Sequence, residues 1–340
     1  MRELNMGRRI RILVSGAGGD AAQGVIKALR HSTLDVEIFA TCIRPESPGL
    51  HLADRGFVAP LSSSERYLPF LQSLIAAFNI DVFIPTVDSE IPAIAVNREQ
   101  LEFETGVRVF VNDSAQVRIT TDKLVTAEYL ERQGLPAALS CSAGAGNAAK
   151  FAKTLGLPLV IKPRRGHGSQ GLIVATEWSQ VDDVLGDDEW MLQEWIDPAG
   201  GEYTIGAYLG DDHEIKGICL LRRELRNGST VIAQRVLDVA LEVQVRNLVE
   251  ALQAKYINIQ AMQRDGVLIP FELNGRLSGS TAMVSKVFNA PEMFIRERVL
   301  GEKLRVTTNN DEFIAMRYMH EVYASVEDVE ALRRNARFEH

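Results

Sequence analysis

Between residues 10 and 111 the chain alternates short apolar runs with stretches whose apolar positions recur at helical spacing. Ile10 to Ser15 reads as a strand, Gly16 to Gly19 as a turn and Ala21 to Leu29 as a helix. The same alternation predicts strands at Val36 to Cys42, Asp81 to Pro85 and Arg108 to Val111, with helices at Arg66 to Phe78 and Ile91 to Gln100. Strands separated by helices imply a parallel sheet covered on both faces. A helix is expected from Thr120 to Gln133, ended by Gly134 and Pro136, and another over Ala148 to Leu155. From Leu159 the pattern changes to longer strands and glycine loops: "LVIKP", "GLIVA", "WMLQEWI", "YTIGAYLG" and "IKGICLLRREL". Those runs suggest an antiparallel or mixed sheet. One helical pattern from Gln234 to Lys255, starting near Val236, interrupts it. The end reads as a strand in "EFIAMRYMHEVYA" and a short helix at Val326 to Asn335.

One strand carries an unusual row. In "IPFELNGRLSGST" an apolar run leads into Glu272, Asn274 and Arg276 at every second position, so the three share one face. Gln260 ends the preceding strand, across a turn at Arg264-Asp265-Gly266, and an antiparallel neighbour would bring its side chain beside Glu272 and Asn274. Oxygen donors of this kind suit a hard magnesium ion that shares its shell with nucleotide phosphates. Arg276 would face the same pocket as an anion ligand.

Composition narrows the classes. At 340 residues the chain is long enough for two or three packed units. Hydrophobic residues are 46% and charged residues 24%, ordinary for a soluble globular protein. A net charge of −8 speaks against nucleic acid as a partner. No apolar run reaches membrane-span length and the N-terminus has no signal-peptide pattern. Cys42, Cys141 and Cys219 lie far apart, which argues for reduced thiols and a cytoplasmic setting.

Three further stretches bear on chemistry. The glycine turn "VSGAGGDAAQG" could place backbone N–H groups against an anion. It lacks the third glycine of a dinucleotide fingerprint, and Thr41, Cys42 and Ile43 stand where a ribose-binding acid is expected. A structural turn or a contact to a small substrate therefore stands beside a nicotinamide site as its reading. In "VIKPRRGHGSQGLIVA" Lys162 closes a strand before a loop with three glycines, able to fold over phosphates and expected to be mobile. In "MLQEWIDPAGGEYTIGAYLG" backbone groups near Glu194, Trp195 and Ile196 could meet an adenine edge, and Glu202 could accept from ribose hydroxyls. After the third parallel strand, Asp88, Ser89 and Glu90 could recognise an ammonium or cap a helix. Arg222, Arg223, Arg226 and Arg235 form a basic concentration suited to a carboxylate or a phosphorylated substrate.

In this order the segments "TTDK", "VIKP", the glycine loop, "QEWI…GGEYT", "NIQ" and "FELNGRLSGSTAMVSK" resemble the ATP-grasp superfamily, most closely its carbamoyl-phosphate-synthetase-like branch. The resemblance spans roughly residues 10 to 320. It implies an α/β and α+β fold: a Rossmann-like pre-ATP-grasp domain over 1–115, then an ATP-grasp fold with subdomains at 116–192 and 193–340. It implies ATP and magnesium as cofactors, with manganese as the alternative ion. Lys123 and Lys162 match phosphate ligands, and Gly166, Gly168, Ser169 and Gly171 belong to the closing loop. Glu194, Trp195 and Ile196 match the adenine segment and Glu202 the ribose acid. Gln260, Glu272 and Asn274 match the magnesium ligands and Arg276 the anion-binding arginine.

Single-unit relatives of this kind are carboxylate–amine ligases. A carboxylate attacks the γ-phosphate, giving an acyl phosphate and ADP, and an amine (or a thiol) then displaces phosphate. Lys162 and Arg276 would neutralise charge in that transfer. The implied partners are a small acid, for instance an amino acid or sugar acid, and an amine, with neither membrane nor nucleic acid and with a homodimer allowed. Gly275 stands where the family has proline. The chain has one such unit where the synthetase has two in tandem. The rival readings are an NAD(P)-dependent oxidoreductase and a non-catalytic nucleotide-binding regulator.

Overall fold

The computed structural model describes residues 8–166 and 170–335. It contains three sheets. The first is parallel, in the order β3-β2-β1-β4-β5, formed by β1 (Ile10–Val14), β2 (Val36–Cys42), β3 (Arg55–Val58), β4 (Val82–Ile84) and β5 (Arg108–Val109). Helices α1 (Asp20–Arg30), α2 (Pro48–Leu52), α3 (Tyr67–Phe78) and α4 (Ile91–Thr105) connect its strands. The pleat explains how both faces are covered. Ile10, Ile12 and Val14 join Val25, Ile26 and Leu29 of α1 in one core, while Leu13 joins Leu71 and Leu74 of α3 in another.

Helices α5 (Ser114–Thr121) and α6 (Lys123–Arg132) lead to the second sheet. Its order is β6-β9-β7-β8, all antiparallel: β6 (Ser140–Ser142), β7 (Leu159–Pro163), β8 (Ile173–Ala175) and β9 (Trp190–Glu194). Helices α7 (Ala148–Leu155) and α8 (Trp178–Asp182) cover it, with Ala148 and Ala152 packed on Leu159, Ile161 and Leu192.

The third sheet is antiparallel, in the order β14-β13-β10-β11-β12-β15. It comprises β10 (Glu202–Leu209), β11 (Ile215–Arg226), β12 (Ser229–Val236), β13 (Tyr256–Arg264), β14 (Val267–Asn274) and β15 (Ile314–Met316). On one face lies α9 (Val239–Leu252), whose Leu241, Val245, Leu248 and Leu252 meet Ile205 and Ile259. On the other lie α10 (Thr281–Val284) and α11 (Ala290–Arg298). There Phe294 stacks on Phe110 with centroids 4.5 Å apart, within the same core as β1. The first and third sheets therefore share apolar packing. The last helix is α12 (Val326–Asn335), whose Leu332 packs against Ala17, Ala40 and Leu50.

The fold class matches the expectation, and several elements differ in detail. The single helix expected over Thr120 to Gln133 is two, because Asp122 leaves helical geometry. Its carboxylate accepts from the backbone of Leu124 at 3.1 Å and Val125 at 3.3 Å. Arg164 holds the same carboxylate at 2.9 Å. The helical pattern placed from Gln234 begins only after Asp238, which caps α9; Gln234 to Val236 belong to β12. The short strand β3 and helix α2 carry too few residues for a periodic signal and were not foreseen. Gln260 lies mid-strand, since β13 runs on to Arg264. Asp265 and Gly266 then turn the chain with φ of 51° and 78°, the left-handed pair that matches strand twist in a two-residue hairpin. Pro270, which cannot donate to a ladder, sits on the edge strand β14.

Candidate functional site

Two cavities meet along the third sheet: the first lies between it and the second sheet, the second between it and the loops of the parallel sheet. The first, of about 280 Å³, is lined by Lys123, Lys162, Arg165, Gly166, Gln193, Glu194, Trp195, Ile196, Glu202, Arg223, Gln260, Phe271 and Glu272, among others. The second, of about 320 Å³, takes Gly16, Gly19, Asp20, Thr86, Asp88, Asn258, Asn274, Arg276, Ser278 and Arg317. Arg223, Leu225, Gln260 and Glu272 line both.

Lys162 comes from the penultimate residue of β7 and is buried at 4% exposure. Its ammonium donates to Gln193 Oε1 at 2.9 Å and to the Phe271 carbonyl at 3.0 Å. Burial pushes its pKa down to about 8, against the pull of the Glu272 charge. A buried cation whose hydrogen-bond partners among the described residues are neutral oxygens is suited to an anionic ligand. Lys123, at the start of α6, donates to the Gly166 carbonyl at 2.8 Å.

The strand register brings the oxygen donors together. Gln260 pairs with Glu272 and Asn258 with Asn274 across β13 and β14, and a register shift beside Gln260 accommodates Phe271. One carboxylate and amide oxygens make a thin charge complement for a divalent ion. That donor set fits magnesium shared with nucleotide phosphates better than an all-protein cage. Among the described residues no group of three His, Cys, Asp or Glu could hold a metal by itself.

At the outer end of the first cavity, Glu194 accepts from the Leu139 backbone at 3.0 Å and from Arg264 at 2.8 Å. Trp195 is 37% exposed, and Ile196 is buried beside Ala138 and Ile269. Glu202 opens β10 opposite Arg223 in the register. Arg223 donates to Glu202 Oε1 at 2.6 Å and to Gln260 Oε1 at 3.0 Å.

Beyond β14, Arg276 leaves the strand and holds Asp88 in a two-pronged pair, 2.6 Å on each arm. Burial works against the Arg276 charge, but Asp88 outweighs it and raises the pKa. Asp88 thus faces the second cavity already paired, and neither it nor Ser89 caps α4. Ser89 bonds Ser62 at 2.6 Å. Glu90 is a buried hub: it accepts from Ser15, Tyr67 and the backbone of Thr86 and Val87. Burial raises its pKa, the hydrogen bonds opposing. Ser89 and Glu90 line a third cavity of about 830 Å³ beside the glycine turn.

Of the arginine concentration, only Arg223 reaches the two meeting cavities. Arg222 and Arg226 are exposed on the opposite pleat and line none of the three. Arg235 is buried elsewhere, where it bonds Asn309 and Asp311. Gly171 borders the glycine loop with φ of 74°, and Gly168 and Ser169 lie outside the described residues. Asn258, Asp20, Ser278 and Arg317 were missed. Asn258 was within reach, because it stands two positions before Gln260 on the same pleat. It is fully buried, and its Oδ1 has no partner among the described residues.

The family described as PylC-like, N-terminal domain, matches residues 11–110. The carbamoyl phosphate synthase large chain of Agathobacter rectalis is 24% identical over 231 residues, 62% of this chain and 21% of that one. The formate-dependent phosphoribosylglycinamide formyltransferase of Nitratiruptor sp. is 28% identical over 202 residues, 55% of this chain and 48% of that one. The chain thus spans from a fifth to about half the length of these relatives. Among solved structures, N5-carboxyaminoimidazole ribonucleotide synthetase from Thermus thermophilus superposes with a TM-score of 0.70 at 18% identity. That match covers 89% of this chain and 82% of the other. This is the ATP-grasp fold. Another ATP-grasp structure, biotin carboxylase from Campylobacter jejuni in its β,γ-ATP complex, has a TM-score of 0.66 at 14% identity, covering 86% and 71%. Among the described residues, no helix is long and apolar enough to cross a membrane.

Proposed function

We propose that the protein is an ATP-dependent, ADP-forming ligase that activates a small carboxylic acid as its acyl phosphate and transfers the acyl group to an amine. The observation that carries this reading is the shared wall of the two cavities. Gln260 and Glu272 border both, so a nucleotide in the first would hold its phosphates against the second, where an acid could receive the γ-phosphoryl group. Magnesium, when bound, would offset the negative charge of the phosphates. Glu272, Gln260 and Asn274 would hold it.

The chain's own groups have separate tasks. Lys162 would bind a phosphate oxygen, and its burial strengthens that attraction by excluding water. Glu194 and the backbone through Ile196 would meet the adenine, and Glu202 the ribose. Arg276, presented at the second cavity by Asp88, would orient the acid's carboxylate. The mixed charge there, Asp20 and Asp88 facing Arg223, Arg276 and Arg317, suits an acid or amine carrying both signs, such as an amino acid.

The proposal is tested with hydroxylamine as a general acceptor. With MgATP and a panel of small acids, one acid should yield its hydroxamate in step with ADP. ADP formation that depends on no acid, with no hydroxamate from any, would refute the ligase reading.

A further inference from the structure

Arg223 occupies a position that the reaction outlined above does not use. It is the charged residue common to both cavities that is neither a phosphate nor a metal ligand in that scheme. Its side chain is 7% exposed and spans two acceptors. The guanidinium donates to Glu202 through Nε at 3.0 Å and Nη2 at 2.6 Å, and the same Nη2 reaches Gln260 Oε1 at 3.0 Å. Both acceptors have other work when nucleotide is present: Glu202 would receive the ribose hydroxyls and Gln260 would turn its oxygen to magnesium. Two ribose hydroxyls would engage both oxygens of the Glu202 carboxylate, and one of them, Oε1, already takes two donors from Arg223. Gln260 offers one side-chain oxygen, and a metal ion and a guanidinium are not accommodated on the same side of it.

We infer that Arg223 is the residue that ties anion binding in the second cavity to nucleotide in the first, an inference that rests on the nucleotide reading above. Without nucleotide, Glu202 and Gln260 hold the guanidinium and its charge is spent on them. With nucleotide, the ribose and the metal compete for both oxygens. The released guanidinium then faces the second cavity, whose wall it already forms. A buried arginine that loses its carboxylate needs another anion, and the acid or the transferred phosphoryl group supplies it. The order of binding follows: nucleotide first, acid second. Coupling between the sites is reciprocal, so an anion in the second cavity also tightens nucleotide. The neighbouring arginines are not tied to nucleotide in this way, because Arg222 and Arg226 lie on the other pleat, and Arg276 and Arg317 pair with Asp88 and Asp20 rather than with Glu202 or Gln260.

The test isolates the ribose hydroxyls. Inorganic phosphate is titrated calorimetrically into the full chain saturated with either MgADP or Mg-2′,3′-dideoxy-ADP. The two nucleotides carry the same phosphates and metal, so only the competition at Glu202 differs. Phosphate should bind about fivefold or more tightly with MgADP than with the dideoxy nucleotide. In Arg223→Gln the two affinities should agree within about twofold. Arg223→Lys, which keeps a charge and guards against loss of fold, should retain part of the difference. In Glu202→Gln phosphate should bind equally with both nucleotides. A ratio near one in the wild type, or an undiminished ratio in Arg223→Gln, overturns the coupling while leaving nucleotide binding intact. Failure of MgADP itself to bind would overturn both this inference and the nucleotide reading.

Discussion

Lys162 is a buried cation, and its depressed pKa gives it a pH signature. Its folded pKa of about 8 lies below the ordinary lysine value of 10.5. The unfolded chain therefore binds more protons between the two, and stability should rise as pH increases from about 8 towards 10.5. Phosphate affinity should move the opposite way, because the positive charge is lost over the same interval. An ATP analogue should bind more weakly at pH 9 than at pH 7, and Lys162→Arg should flatten that profile. A wild-type affinity independent of pH over this range would remove Lys162 from the phosphate site. Glu272 invites a second test at this scale. Glu272→Gln preserves shape on a half-buried strand face, so stability should change by under about 1 kcal/mol. Turnover should fall on the order of 100-fold, since the single carboxylate of the metal set is gone. Near-normal turnover at saturating magnesium would leave Glu272 an ordinary strand residue.

The elements that place these side chains are β7 and the hairpin of β13 and β14. Much of that arrangement was legible in the chain. The run "LVIKP" matches β7 end to end, and two-residue alternation put Glu272 and Asn274 on one face. The short turn alone would set Gln260 opposite Phe271; a one-residue shift in the register brings it opposite Glu272. What could not be read was the bulge at Phe271, because inserting a residue into one strand leaves no compositional mark. The break at Asp122 was hidden for a related reason: a capping aspartate inside two adjoining helical stripes does not disturb their apolar spacing. The hairpin turn itself can be tested. Gly266 has φ of 78° and open space around its α-carbon, so Gly266→Val meets no clash but must hold a β-branched residue in left-handed geometry. Stability should fall by about 1–2 kcal/mol in urea unfolding. An unchanged midpoint would mean that the turn can relax to another geometry and that the register of Gln260 on Glu272 is set by the strands alone.

At the scale of the whole molecule, the site is shared between sheets far apart in sequence. Asp88 from the loop after β4 and Arg276 from the segment after β14 are 188 positions apart and form the pair at the mouth of the second cavity. No local pattern could have announced it; each residue was singled out alone, one for an ammonium and the other for an anion. The arginine concentration misled for the opposite reason: its members are adjacent in sequence but alternate across the sheet. Both side chains of the Asp88–Arg276 pair are largely withdrawn from solvent, at 30% and 14% exposure. Asp88→Ala strands the guanidinium and should cost on the order of 2 kcal/mol of stability. A melting temperature equal to wild type would show that this link does not help to join the parallel sheet to the antiparallel one.

Every role assigned above depends on nucleotide occupying the first cavity with its phosphates at Lys162 and its metal at Glu272. The direct measurement is a calorimetric titration of the full chain with a non-hydrolysable ATP analogue, with and without magnesium, alongside NADH. The account predicts binding of the analogue at one site per chain, tightened by magnesium and abolished by Lys162→Met, with no heat from NADH. Tight NADH binding, or analogue binding indifferent both to magnesium and to Lys162, would contradict it.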